Sequence, residues 1–140
     1  MGKKRVAKKL GESGSVAGKT LKVKSLPQKG IAHVYSSYNN TLITLTNEQG
    51  DKLISSSAGA AGFSGSKKGT PYAASRAAAL VADVAKSGGM KEIAFRIKGV
   101  GSGRESAIRT FLSKGFVVDS IKDVTPLPHG FMKSPKPRRV

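Results

Sequence analysis

Cysteine and tryptophan are absent from this 140-residue chain. Without cysteine there is no disulfide framework and no thiolate metal site, which fits a reducing cytosol. The only histidines, His33 and His129, are too far apart in sequence to suggest a metal cluster. Acidic residues are scarce, 8 Asp+Glu against 25 Lys+Arg, and those present do not cluster. A nuclease needs converging carboxylates to hold metal ions, whereas Asp51, Asp83, Glu92, Asp119 and Asp123 are scattered. Only eight Phe and Tyr are present. With most of them needed for a core, a general single-strand-binding protein built on exposed stacking platforms is disfavoured. No apolar run approaches the ~18 residues of a membrane span, and the basic N-terminus lacks the apolar stretch of a secretory signal.

What is abundant is positive charge. The formal net charge is +17, and a self-repelling excess of that size points to a polyanionic partner. Its distribution is uneven. Residues 1–30 carry +8, residues 126–140 carry +4, and residues 31–125 carry +5. Two basic arms flanking a nearly balanced middle make the pattern of a protein embedded in nucleic acid. The expected organisation is a basic extension over 1–30 that is disordered until bound, an α/β domain over 31–125, and a basic proline-rich tail over 126–140. That tail contains Pro126, Pro128, Pro135 and Pro137 with Lys133, Lys136, Arg138 and Arg139.

Within the middle segment, residues 31–38, 42–46 and 52–57 read as strands of an antiparallel meander, with Asn39-Asn40 forming the first turn. Residues 58–69, AGAAGFSGSKKG, are glycine-rich and contain Lys67 and Lys68. Thr70-Pro71 starts a helix as N-cap and first-turn proline. That helix ends at Ser87-Gly88-Gly89 and is expected to bury Ala73, Ala77, Leu80, Val81 and Val84. Its Arg76 extends the basic surface of Lys67 and Lys68. Residues 92–98 form a fourth strand. A second helix from near Arg104 to Lys114-Gly115 is expected to point Ile108, Phe111 and Leu112 inward, and a fifth strand covers 116–124. This order implies an α/β sandwich with a mixed five-stranded sheet ordered 3-2-1-4-5, strand 2 antiparallel to the rest.

The loop after strand 4, GVGSGRES, draws most attention. Gly99, Gly101 and Gly103 strip Cβ atoms from alternate positions, so a ligand can approach the backbone N–H groups. Ser102 and Glu105 have the spacing of a capping box, which aims a helix N-terminus into the loop. Lys98 and Arg104 flank it, and phosphate is the natural occupant. A tight strand-to-helix turn accounts for the glycines as well. No nucleotide cofactor is indicated: the dinucleotide fingerprint would need glycine at Arg104, and the mononucleotide loop would need Gly-Lys-Ser/Thr. The amides of Asn39 and Asn40 can reach bases or ribose besides forming a turn. His33 has a structural or RNA-stacking role in its strand.

Four segments in order, HVYSSYNNTLITLTNEQGD (33–51), GAAGFSGSKKGTPYAASRAA (59–78), KGVGSGRES (98–106) and DVTPLPHG (123–130), closely resemble the signatures of the small-subunit ribosomal protein eleven family, bacterial or organellar type. The resemblance implies a ribonuclease-H-like three-layer α/β sandwich without nuclease activity. It further implies a place on the platform of the small ribosomal subunit in the cytoplasm, bridging ribosomal RNA helices and lining the Shine–Dalgarno cleft near messenger RNA. Ribosomal proteins seven and eighteen and initiation factor three are the implied protein partners, with no cofactor, membrane or small-molecule substrate. Matched positions are Asn39 and Asn40, Gly65, Lys67 and Lys68, Lys98, Gly99 and Arg104, and His129, Arg138 and Arg139. Together with Arg76, Gly101, Lys133 and Lys136 these are the expected RNA contacts. The chain departs from the family pattern at Val100 and Ser102, where many members have proline, at Ser64, where a basic residue is common, and at Gly130-Phe131.

Overall fold

A computed structural model describes residues 25–130 and 133–140. Most of the expected 1–30 extension lies outside the described residues. Residues 25–30, assigned to it above, belong to the folded unit. Leu26 packs against Gly88, its N–H donates to the Gly88 carbonyl at 3.0 Å, and the first strand already begins at Lys29. Leu26, between Ser25 and Pro27, gives little periodic signal.

The strands are β1 (Lys29–Ser36), β2 (Thr41–Thr46), β3 (Lys52–Ser57), β4 (Glu92–Lys98) and β5 (Val117–Asp123). They form one sheet in the order β3-β2-β1-β4-β5. β2 runs antiparallel to both its neighbours, and β1, β4 and β5 are parallel, as expected. The carboxyl ends of β1, β3, β4 and β5 therefore lie at one end of the sheet, which is where open α/β sheets gather their functional loops.

Two helices connect these strands, α1 (Pro71–Ser87) and α2 (Gly103–Ser113). They pack closely on each other and on the sheet, so they share one face. The expected three layers are therefore two among the described residues. Both crossovers step the same way along the sheet, and right-handed connections then place both helices on the same side. The burial pattern agrees. Ala32, Val34 and Ser36 of β1, Ile43 and Leu45 of β2, and Ile93, Phe95 and Ile97 of β4 are buried beneath the helices, while alternate residues, apart from the buried Thr46, are half-buried or exposed.

The helix layer is tight because α1 presents small residues. Ala73, Ala74, Ala77, Ala78, Val81, Ala82 and Ala85 are all buried. Leu80, expected inside, is 49% exposed, and Val84 is only partly buried. The alanines win the inner face because α2 and the sheet approach too closely for leucine. Leu112 of α2 likewise points outward, while Ala107 and Phe111 are buried and Ile108 lies against the core. Phe111 sits between Phe95 and Phe116 with edge-on ring contacts at centroid distances of 5.5 and 5.7 Å. The aromatics divide by type: Phe95, Phe111 and Phe116 are buried, whereas Tyr35, Tyr38 and Tyr72 are all exposed.

The start of α1 is as the sequence predicts. The Thr70 hydroxyl accepts from the Ala73 N–H at 3.3 Å, and Pro71 is the first helical residue. Thr70→Ala is expected to cost about 1 kcal/mol, a fall in Tm of about 4–8 °C for a unit of this size. Thermal unfolding followed by circular dichroism checks it, and an unchanged Tm would show that the neighbouring 3-10 turn (Gly65–Gly69) fixes the helix start alone.

Candidate nucleic-acid interface

Four segments converge at the carboxyl end of the sheet. The turn over residues 37–40 closes through Ser37 N–H to the Asn40 carbonyl at 2.9 Å, and the Asn40 side chain accepts from Thr41 N–H at 2.9 Å. The 58–70 loop is tied to it at both ends. Ala58 N–H donates to the Thr41 carbonyl at 3.0 Å, and Gly69 lies so close to the Tyr38 carbonyl that no Cβ would fit. The 99–103 loop joins through the Ser102 hydroxyl, which donates to the Gly69 carbonyl at 3.0 Å. The start of the C-terminal tail joins through Val124 N–H to the Ile97 carbonyl at 2.8 Å and Gly99 N–H to the Thr125 hydroxyl at 3.1 Å.

The glycine-rich loop corrects the sequence reading. Its glycines make room for the protein rather than for a ligand. A Cβ on Gly99 would strike the Ser36 carbonyl, one on Gly101 the Ser36 hydroxyl and the Ser37 carbonyl, and one on Gly103 the Thr41 hydroxyl and Ala74. Their N–H groups are also committed. Gly99 donates to Thr125, Gly101 to the Ser36 carbonyl at 2.9 Å, and Gly103 to the Ser36 hydroxyl at 3.2 Å. Gly101 is buried, so Gly99 and Gly101 do not offer these amides to a phosphate. Nor is there a capping box. Ser102 has helical dihedrals and makes no side-chain cap bond, because its hydroxyl reaches Gly69 instead.

Ser36 is the residue that sequence reasoning missed. Fully buried at the end of β1, it holds two loop amides through its carbonyl and its hydroxyl. Nothing in its local sequence marks it, because its partners are 65 and 67 positions away.

Arg104 is also engaged. Its guanidinium donates to the Gly99 carbonyl at 3.0 Å and pairs with Asp123. Asp123 in turn accepts from the Thr125 hydroxyl at 2.6 Å and the Thr125 N–H at 2.9 Å. These Thr125 bonds, then Arg104, hold the Asp123 carboxyl down at about 2. A carboxyl depressed on folding stabilises above the usual value near 4 and loses that contribution as pH falls through the folded value. The clasp that roots the tail is therefore intact at every physiological pH.

The remaining expected contacts stay available. Lys67 and Lys98 are exposed, Lys68 is half-buried with its stem along Gly59, and Asn39 and Gly65 are exposed. Arg76 lies on the solvent side of α1, away from the buried alanine face. His129, Lys133, Lys136, Arg138 and Arg139 are exposed on a tail without helix or strand. Among the described residues, Lys67, Lys68, Arg76 and Lys98 have no carboxylate partner. Asn39, Lys67, Lys68 and Lys98 thus ring the stitched loop cluster, a rigid cationic rim suited to phosphate backbones.

The family model described as "Ribosomal protein S11" matches residues 30–139. The small ribosomal subunit protein uS11 of Francisella tularensis subsp. novicida is 48% identical over 126 residues, covering 90% of this chain and 98% of that protein. Its namesake from Chromobacterium violaceum is 50% identical over 119 residues, covering 85% of this chain and 91% of the relative. The Neisseria meningitidis protein of the same name is 49% identical over the same length. With the cationic loop cluster carried inside the matched region, the chain belongs to the ribosomal protein S11 family.

Proposed function

We propose that this chain is a structural constituent of the small ribosomal subunit that binds ribosomal RNA through its loop cluster and basic arms. The S11 family is structural and non-enzymatic. The observation that carries the reading is the rim of cations, unpaired among the described residues, on loops locked together at one end of the sheet, in a chain of net charge +17. Rigid loops position phosphates with little ordering cost, and the tail supplies further counterion release. The named relatives, each called a small ribosomal subunit protein, support the same assignment.

The finer placement follows from the resemblance: the platform, several RNA helices bridged at once, the Shine–Dalgarno cleft with messenger RNA nearby, contacts with ribosomal proteins seven and eighteen and with initiation factor three, and residence in the cytoplasm. RNA contacts are assigned to Asn39, Asn40, Gly65, Lys67, Lys68, Arg76, Lys98, His129, Lys133, Lys136, Arg138 and Arg139. Gly99, Gly101 and Arg104 shape the 99–103 loop that stitches the contact-bearing segments together.

Sedimentation of tagged protein from cell extract tests this reading. The protein is expected to travel with the small subunit at low salt and to remain there through a high-salt wash. Release to the top of the gradient at high salt would reduce the charge to non-specific polyanion affinity.

A further inference from the structure

The sheet face opposite the helices carries a surface that adjoins the loop cluster and shares only Lys98 with its rim. By strand alternation it presents Ile31, His33 and Tyr35 of β1, Leu42 and Thr44 of β2, and Arg96 and Lys98 of β4. Cross-strand register sorts these into rows. Leu42, Tyr35 and Lys98 are neighbours in one row, and Thr44, His33, Arg96 and Lys122 in the next. Tyr35 is 43% and Leu42 42% exposed. The His33 ring is held by a 3.3 Å bond to the Thr46 hydroxyl, and burial, followed by Arg96, lowers its pKa. It is therefore a neutral, oriented ring at pH 7.

Charge is segregated along this face. Three acidic groups near it lie at the far end, where Glu92 pairs with Lys29 at 2.7 Å and Glu48 and Asp119 act on the same lysine, while Asp123, next to Lys122 at the near end, is taken by Arg104 and Thr125. The rows nearer the loop cluster hold Arg96, Lys98 and Lys122, none in an ion pair among the described residues. Neighbouring strands are about 5 Å apart, well inside the ~10 Å screening length at 0.1 M salt. These three cations raise one another's potential and call for an anion. Two rings spaced about 6.6 Å along one strand, beside three unpaired cations, match the way single-stranded RNA is held: bases on aromatic faces and phosphates on cations. A duplex hides its base faces and cannot use the rings.

We propose that this open sheet face is a second RNA surface, which binds an unpaired stretch of RNA by stacking bases on Tyr35 and His33 and placing phosphates at Arg96, Lys98 and Lys122. It rests on the RNA-binding reading above and extends it from phosphate contact to base contact.

The test uses the full chain with two probes, a short single-stranded oligoribonucleotide and an RNA duplex of the same length, at several salt concentrations. Tyr35→Ala is expected to weaken single-strand binding about ten-fold, the size of one lost stacked base, and to change duplex binding less than about two-fold; Tyr35→Phe restores the single-strand affinity. Replacing both Arg96 and Lys122 by glutamine should lower the single-strand salt slope by about 1.4. Replacing Lys67 and Lys68 by alanine weakens both probes and reports on the loop cluster. Single-strand binding unaltered by Tyr35→Ala overturns the open-face proposal, while its loss in the Lys67 and Lys68 variant leaves the broader function standing. Wild-type protein that binds neither probe overturns both. In the assembled subunit, ultraviolet irradiation is expected to leave a nucleotide adduct on Tyr35. Lysine cross-links from Lys98 and Lys122 to another protein, with no such adduct, would make the face a protein-docking surface and overturn the proposal.

Discussion

Gly99→Ala is expected to lower stability by about 3 kcal/mol or more, a fall in Tm of at least about 10 °C. Two effects combine. Gly99 has φ +99°, a backbone region that L residues rarely adopt, and its new methyl group would strike the Ser36 carbonyl. That carbonyl already accepts from Gly101, so it cannot move without releasing the next loop residue. Gly62→Ala separates the two effects. Gly62 has nearly the same dihedral, φ +96°, but open space where its Cβ would be. It should cost only about 1–2 kcal/mol, the dihedral penalty alone. Urea unfolding of the two variants makes the comparison. Equal losses would mean that the loop swings clear of Ser36. Retained stability with reduced RNA affinity in the Gly99 variant would restore the reading in which glycine admits a phosphate.

That contrast shows where the sequence is legible and where it is not. Local signals are reliable here: Thr70-Pro71 starts α1, strand-forming composition locates β1, β2 and β4, and the crossover rule orders the strands. The misreadings share one cause, which is that a residue's partner lies far along the chain. A Gly-x-Gly-x-Gly run has the same composition whether a ligand or a buried serine lies beneath it. Ser102 and Glu105 keep capping-box spacing, yet Gly69, 33 positions away, captures the Ser102 hydroxyl. Leu80 and Leu112 fit a helical stripe, but the closeness of the two helices, which a single helix cannot reveal, turns them outward. Tyr35 and Arg96 also pass unnoticed in sequence. Their importance rests on the sheet having one face uncovered among the described residues, a consequence of both crossovers taking the same side.

Deleting residues 126–140 is expected to have the largest effect on RNA binding, about a thousand-fold at 0.1 M salt, with the salt slope reduced by about 3 as the four charges of Lys133, Lys136, Arg138 and Arg139 leave phosphates. No single loop substitution removes as much, so the truncated chain should lose a competition for incorporation into small subunits; equal incorporation would rule this out. Whether the tail needs its root can be asked separately at Asp123. On charge alone, Asp123→Asn raises the net charge by one and should tighten binding to a polyanion. The clasp argues for the opposite sign. Asp123 gathers Thr125 and Arg104, and Thr125 accepts from Gly99, so the tail leaves the sheet in a fixed direction beside the 99–103 loop. An asparagine lacks the charge that holds Arg104, and the tail then loses its preset direction and with it part of its effective concentration. Weaker binding by Asp123→Asn, with weaker binding also by Arg104→Ala, is the expected result. Tighter binding by Asp123→Asn would show that the tail acts through charge alone and needs no anchor.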